Sequence, residues 1–134
     1  MFGRISHIGI AVRDLKKSID LFTTVAGSKP IHTERVEEQH VNTALFLFGD
    51  SALELLEPAS PESSIAKFIQ KRGEGIHHLC FAVDDIIAEL ERLKTAGFQL
   101  IDERPRKGAD NCLVAFLHPK STNGVLIEIS QKIR

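Results

Sequence analysis

The chain contains a six-residue motif twice, and each copy begins with a histidine. The first copy is HIGIAV at residues 7–12, and the second is HLCFAV at residues 78–83, 71 positions later. Side chains alternate between the two faces of an extended strand, so each His shares a face with small residues such as Gly9 or Cys80. The opposite faces carry only bulky apolar side chains. We expect the bulky faces to form core and the small faces to form the floor of a cleft.

The same order of elements follows both copies. Asp14 and Asp85 each lie seven residues after the motif's His and are suited to capping a helix, and Gly27 and Gly97 are suited to ending those helices. Equal spacing in both halves indicates an internal duplication. Alternating apolar residues predict strands at 30–36, 44–48 and 51–57 in the first half, and at 98–101, 112–117 and 125–130 in the second.

The predicted fold is therefore α+β, with two tandem βαβββ modules that form a cleft. Residues 1–134 make a single domain, in which modules 5–57 and 76–131 are joined by a helical connector at 60–73. Ser60, followed by Pro61, is the expected N-cap of the connector helix. The polar stretch at 103–111 is long enough to form a binding loop.

Two acids also match across the duplication. Glu54 and Glu128 each lie in the middle of the otherwise apolar last strand of their half. Burying a carboxylate in a sheet without a partner costs several kcal/mol, so these positions need a reason. If the halves share one cleft, the two acids converge with His7 and His78. Such a set of nitrogen and oxygen donors suits Zn²⁺, Ni²⁺, Co²⁺, Mn²⁺ or Fe²⁺.

Taken singly, each of these four residues is more often structural than a metal ligand. A structural explanation, however, requires four coincidences at matched positions, and the symmetry favours a joint metal site. His77 is expected to point to the opposite face from His78, and His32 and His40 are expected at the surface.

Composition excludes several classes of function. The net charge is −1 with no long basic run, which argues against nucleic acid as a partner. No apolar run approaches the roughly 20 residues that span a bilayer. The N-terminus lacks the apolar stretch of a secretory signal, and Cys80 and Cys112 have no CxxC spacing. We therefore expect a cytoplasmic protein with reduced thiols.

Several segments resemble a known family. The runs HIGIAV, GEGIHHLCFAVDDI and FLHPKSTNGVLIEIS are similar to those of the vicinal oxygen chelate superfamily, which includes glyoxalase I and the extradiol dioxygenases. Within it, IAKFIQKRGEGIHH and the HPKS and GVLIE runs resemble methylmalonyl-CoA epimerases. This resemblance implies a divalent ion, Co²⁺, Zn²⁺, Ni²⁺ or Mn²⁺, held by His7, Glu54, His78 and Glu128.

The resemblance also implies a reaction and its partners. The expected chemistry is a 1,1-proton transfer that interconverts (R)- and (S)-methylmalonyl-CoA through a metal-stabilised enolate. Glu128 is the expected base and Glu54 the weaker candidate for the second proton carrier, because the position near Asn42 and Thr43, which is acidic in some members, carries no acid here. A homodimer is expected from the superfamily.

Further residues and alternative functions follow from the same likeness. Lys120, Arg106 and Lys107 are candidates for binding the phosphates of an acyl-CoA substrate. The nearest alternative is lactoylglutathione lyase (glyoxalase I), which uses the same ligand set. A second alternative is a non-enzymatic drug-binding protein of the bleomycin-resistance type, which typically has no metal.

Overall fold

The computed structural model describes residues 1–134 as one eight-stranded mixed sheet and three α-helices. The strands are β1 (Ile5–Ala11), β2 (His32–Val36), β3 (Val41–Phe48), β4 (Ser51–Pro58), β5 (Gly75–Ala82), β6 (Arg106–Lys107), β7 (Cys112–Leu117) and β8 (Ile127–Lys132). The helices are α1 (Leu15–Ala26), α2 (Ser64–Arg72) and α3 (Ile86–Thr95). None of these helices combines the length and hydrophobicity that crossing a bilayer requires.

The order of strands is symmetric about the centre of the sheet. It runs β2-β3-β4-β1-β5-β8-β7-β6. Each half contributes four strands, and the halves join through the antiparallel pair β1 and β5. Ile8 lies opposite Leu79, which is its equivalent 71 positions later, and a local two-fold relation therefore passes through this pair. As a result His7 faces Cys80 across the central pair, and Gly9 faces His78.

The helix ends follow the sequence signals in α1 and α3. The Asp14 carboxylate accepts a hydrogen bond of 3.0 Å from the backbone N–H of Lys17, and Asp85 accepts an equivalent bond of 3.0 Å from Ala88. Each bond satisfies a backbone donor that a helix cannot pair internally. Helix α1 ends at Gly27, whose φ of 76° is left-handed and suits a residue without a side chain. Both predicted caps are confirmed.

Helices cover both faces of the sheet. Leu55 and Leu56 are adjacent in β4, point to opposite faces and are both buried, Leu55 under α1 and Leu56 under α2. We call the face that carries Leu56 and Glu54 the inner face, and the face that carries Leu55 the outer face. Helix α3 covers the outer face of the second half, where it packs on Ile129. The inner face, apart from the end under α2, remains available for a site.

One predicted strand is wrong. Residues 98–101 form no strand, and only Leu100 makes an isolated bridge, to Leu117. The Asp102 carboxylate accepts the backbone N–H of Phe116 at 2.9 Å, so a side chain takes a bond that the strand would have used. The edge strand of this half is instead β6, inside the predicted loop at 103–111.

The connector helix begins later than predicted. Its N-cap is Ser63, which accepts the N–H of Ile65 at 3.1 Å, and not Ser60. The N–H of Ser63 bonds to the carbonyl oxygen of Ser60 at 3.2 Å, which closes a turn around Pro61 before the helix starts. A proline after a serine suits such a turn as well as it suits a first helical turn.

The expectation that the bulky faces of β1 and β5 form core is only partly right. Ile8 is 37% exposed and Ile76 is 69% exposed, because the middle of the outer face lies between α1 and α3 and neither helix covers it. Val12 and Val83 of the bulky faces are buried in the core, and on the inner face Ala11 and Cys80 are fully inaccessible.

Leu55→Ala and Ile129→Ala should destabilise the fold to a similar extent, since both side chains are fully buried on the outer face of equivalent strands. We expect each to lower the free energy of unfolding by about 2–5 kcal/mol in urea titrations. Leu21→Ala on the exposed side of α1 is the control and should change it by about 0.5 kcal/mol or less. A small effect at either buried position would contradict this description of the core.

Candidate metal centre

Four side chains from the two halves meet on the inner face. Glu54 of β4 lies beside Gly9 in the parallel register, and Glu128 of β8 lies beside Cys80. The four groups are His7, Glu54, His78 and Glu128. Register alone therefore places one imidazole and one carboxylate from each half around the centre of the sheet.

The donor atoms of the four side chains lie within 3.0–4.0 Å of one another in the pairs given below, close enough to bind one ion together. The Nε2 atoms of His7 and His78 lie 3.0 Å apart. Glu128 Oε1 lies 3.1 Å from the first of these nitrogens and 3.0 Å from the second. Glu54 Oε1 lies 3.4 Å from His7 Nε2 and 4.0 Å from His78 Nε2. Two nitrogen and two oxygen donors thus point toward one region.

This donor set fits a divalent cation. Glu54, His78 and Glu128 are 7%, 4% and 5% exposed. Glu128 Oε1 is buried, and although both Nε2 atoms are near it, neither is aligned to donate a hydrogen bond to it. A buried carboxylate oxygen without a hydrogen bond is costly, and a cation would compensate it. Imidazole and carboxylate donors suit first-row divalent metals. No lysine or arginine forms a salt bridge with either carboxylate.

The charges within the cluster are strongly coupled. Burial opposes a charge on His7, but contacts with Cys80, Glu128 and Glu54 outweigh burial and raise the pKa of His7 to about 11. Burial, together with the nearby Glu128, raises the pKa of Glu54. Burial also acts against ionised Glu128, but His78 and His7 lower its pKa well below the usual range. The two carboxyl groups are therefore unequal, which is the usual arrangement of a general acid and a general base.

Gly9 is required for the position of His78. A Cβ atom at residue 9 would overlap the His78 imidazole ring, since the ring packs directly over the glycine. At the equivalent place in the second half, Cys80 carries a side chain, and its thiol donates to Ser130 Oγ at 3.4 Å. The difference between HIGIAV and HLCFAV therefore follows from packing around the two imidazoles.

The cluster lies in a cleft of about 160 Å³. Apolar side chains from both halves form part of its walls, and the loop before β7 closes one side through Ala109 and Asp110. The N–H of Asp110 donates to the Glu34 carboxylate at 2.9 Å, which ties this loop to β2 of the other half. The apolar wall residues are Ile31, Leu45, Leu47, Ala52, Ala109 and Val114.

The three predicted phosphate-binding residues are distributed differently. Arg106 lies over the Phe116 ring at 5.7 Å and lines a pocket of about 230 Å³ that includes His77 and His78. Lys107 and Lys120 are exposed and do not line that pocket or the cleft. The structure brings only Arg106 close to the metal cluster.

The expectation that His77 points away from His78 is wrong. Its Nδ1 atom lies 3.0 Å from His78 Nδ1, because a register shift between β1 and β5 leaves His77 unpaired. Burial and then the nearby His78 lower the pKa of His77 to about 4. The sequence analysis also missed Ser6, whose Oγ lies 3.3 Å from His7 Nδ1. Ser6 and His77 are 71 residues apart, so the repeat itself could have identified them as equivalent positions.

The place of the missing acid is filled by a threonine. Thr43 is buried on the inner face, and its hydroxyl donates to the backbone oxygen of Glu34 at 3.3 Å. The Asn42 amide donates to Glu57 at 3.0 Å. Neither side chain provides a carboxylate to the cleft.

Comparison with known proteins identifies the family. The family model described as glyoxalase/bleomycin resistance protein/dioxygenase superfamily matches residues 6–116. The chain belongs to this superfamily. This membership confirms the superfamily that the sequence resemblance indicated.

Several relatives are similar over nearly the whole chain. The uncharacterised protein YqjC of Bacillus subtilis is 41% identical, with coverage of 96% of this chain and 91% of the relative. The ethylmalonyl-CoA/methylmalonyl-CoA epimerase of Cereibacter sphaeroides is 38% identical, with coverage of 98% and 99%. A probable lactoylglutathione lyase of Vibrio cholerae is 30% identical, with coverage of 96% and 90%.

A solved structure of an epimerase is also similar to this chain over nearly its whole length. Streptomyces coelicolor methylmalonyl-CoA epimerase in complex with 2-nitronate-propionyl-CoA superposes with a TM-score of 0.95. It is 36% identical and covers 98% of this chain and 96% of its own. The similarity therefore extends over both halves and the connector.

Gly9→Ala should weaken binding of a divalent metal by about tenfold or more, because the new methyl group displaces the His78 ring. Titration with Co²⁺ against a competing chelator measures this change. Leu21→Ala, on the exposed side of α1, is the control and should leave the affinity within about twofold. Equal affinities for the Gly9 variant and the unmodified protein would show that His78 does not bind the metal from this position.

Proposed function

We propose that this chain is a methylmalonyl-CoA epimerase, which interconverts the two enantiomers by 1,1-proton transfer at C2 of the acyl group. The convergence of two imidazoles and two carboxyl groups in one cleft supports metal-assisted proton transfer, and the observation that carries the epimerase assignment is the identity of 36–38% to epimerases against 30% to the lyases. Similarity over nearly the whole chain to epimerases of this class supports the same substrate.

The proposed metal ligands are His7, Glu54, His78 and Glu128. A divalent metal bound there supplies electrophilic stabilisation of the negative charge that develops on the thioester oxygen when C2 loses its proton. Co²⁺, Zn²⁺, Ni²⁺ and Mn²⁺ all suit this donor set.

The two carboxyl groups have different proposed roles. Epimerisation requires a proton carrier on each face of a planar intermediate. Glu128 is the proposed base that removes the C2 proton from one face. Glu54 lies on the other half of the site and is the acid available for the opposite face, since Thr43 offers no carboxylate.

The cleft has the size of the reacting part of the substrate. Its volume of about 160 Å³ accommodates a branched dicarboxylic acyl group, and its apolar walls exclude water from the carbanion. The nucleotide end of an acyl-CoA must then lie outside. We propose Arg106, Lys107 and Lys120 as contacts for its phosphates, with Arg106 nearest to the site.

We also propose a homodimer. Ile8, Ile76 and Val125 are 37%, 69% and 46% exposed and line one groove, which residues of α2 also border. A contiguous exposed apolar surface is typical of an interaction site. The free thiols of Cys80 and Cys112 agree with a reducing compartment, which supports the cytoplasm as the location.

Deuterium exchange tests the reaction directly. In D₂O the metal-loaded protein should incorporate deuterium at C2 of methylmalonyl-CoA, and a chelator should abolish the incorporation. Glu128→Gln should reduce the exchange rate by at least about a hundredfold, because the amide cannot accept the proton. Glu91→Gln, on the exposed side of α3, is the control and should not change the rate. Absence of exchange by the metal-loaded protein would contradict the proposal.

Glu54→Gln separates the two faces of the reaction. The amide keeps an oxygen donor but cannot carry a proton, so one enantiomer should still exchange its C2 proton while net inversion is lost. Chiral analysis of the recovered thioester after incubation in D₂O measures both rates. Normal inversion by this variant would remove Glu54 from the proton transfer.

Lactoylglutathione lyase remains the second candidate, because the Vibrio relatives are 30% identical and the same donor set serves that reaction. The hemithioacetal of methylglyoxal and glutathione is therefore assayed in parallel. Turnover of this substrate without exchange of methylmalonyl-CoA would favour the lyase.

A further inference from the structure

The central strand pair contains two irregularities related by the local two-fold relation. Between β1 and β5 the register shifts once between Ile5 and His7, and once between His78 and Ile76. Each shift leaves one residue without a partner. These residues are Ser6 in β1 and His77 in β5, and they are 71 positions apart.

The two irregularities place polar atoms where a regular strand would not. In a regular strand the residue before each proposed ligand would point to the outer face. A β-bulge adds one residue and redirects its side chain. As a result Ser6 Oγ lies 3.3 Å from Nδ1 of His7, and His77 Nδ1 lies 3.0 Å from Nδ1 of His78.

When a metal replaces the proton on Nε2, each of these contacts offers an acceptor to the proton that remains on Nδ1. A neutral imidazole carries its proton on one nitrogen and a lone pair on the other. If Nδ1 donates its proton to the neighbouring oxygen or nitrogen, the lone pair lies on Nε2 and faces the cleft. In both His7 and His78, Nε2 is the atom that meets the carboxylates.

Helix α2 packs against His77, which is one of the two proposed acceptors. The Phe68 ring contacts His77 edge-to-face, with centroids 4.9 Å apart, and this contact fixes the orientation of the His77 ring. Ser6 has no such support from a helix. Only the residue of the second half has this aromatic contact with a helix.

We propose that Ser6 and His77 are a symmetric pair of positioning residues, placed by matched β-bulges so that Nε2 of each following histidine binds the metal. The inference rests on the metal site of the proposed function. Each residue acts through the histidine that follows it, and Ser6 also lines the cleft. Partners of this kind typically change metal affinity by about 10- to 100-fold when removed.

Paired substitutions separate hydrogen bonding from packing. His77→Phe keeps the aromatic contact with Phe68 but has no acceptor, whereas His77→Asn places an amide oxygen close to the position of Nδ1. Ser6→Ala removes the hydroxyl, and Ser6→Thr retains it. The control is His32→Phe, which changes an exposed histidine on β2.

The dissociation constant of Co²⁺, measured by competition with a chelator, is the main readout. His77→Phe and Ser6→Ala should weaken binding by about 10- to 100-fold and alter the visible Co²⁺ spectrum, and the larger effect should come from His77. His77→Asn and Ser6→Thr should recover most of the affinity, and the control should match the unmodified protein. The thermal midpoint of the metal-free variants reports folding independently.

The outcomes distinguish this inference from the proposed function. If the unmodified protein does not bind Co²⁺, the metal site itself is wrong. If it binds and both Ser6→Ala and His77→Phe bind equally well, the positioning role is wrong and the metal site stands. Equal losses in the Phe and Asn variants of His77, with Ser6→Ala unaffected, would also overturn the proposal, because shape rather than an acceptor would then matter.

Discussion

The structure depends on the cost of placing two carboxylates and two imidazoles next to one another inside a sheet. An unpaired buried carboxylate costs several kcal/mol, and this cluster contains two without any lysine or arginine partner. The protein carries this cost at the junction of its two halves, where neither half alone would assemble the site. The divalent cation proposed for this junction would offset the burial and join the halves, so metal binding and the arrangement of the sheet are expected to stabilise each other.

Symmetry explains most of the site, and departures from symmetry explain its chemistry. The central pair places His7 and His78 at equivalent positions, and the adjacent parallel strands place Glu54 and Glu128 likewise. Yet Gly9 and Cys80 differ, and the two carboxyl groups have opposite pKa shifts. A proton transfer between two faces of one carbon needs a proton acceptor on one side and a proton donor on the other. The duplicated fold thus supplies the ligands, and local substitutions make them distinct.

The sequence predicted the elements that depend on local signals. The caps at Asp14 and Asp85 and the convergence of the four polar groups follow from short-range chemistry combined with the repeat. The errors arise where a long-range contact decides. The strand at 98–101 fails because Asp102 takes the backbone N–H of Phe116, and a pattern of apolar residues cannot reveal that bond. His77 was assigned to the wrong face because strict alternation does not allow for a β-bulge.

X-ray absorption spectroscopy of the protein loaded with one equivalent of Co²⁺ tests the central claim most directly. The account predicts a first shell of nitrogen and oxygen only, with the multiple scattering of two imidazoles, and no sulfur although Cys80 lies within 4.8 Å of His7 and Glu128 donor atoms. A sulfur shell, or a signal from fewer than two imidazoles, would contradict the joining of the two halves through His7, Glu54, His78 and Glu128.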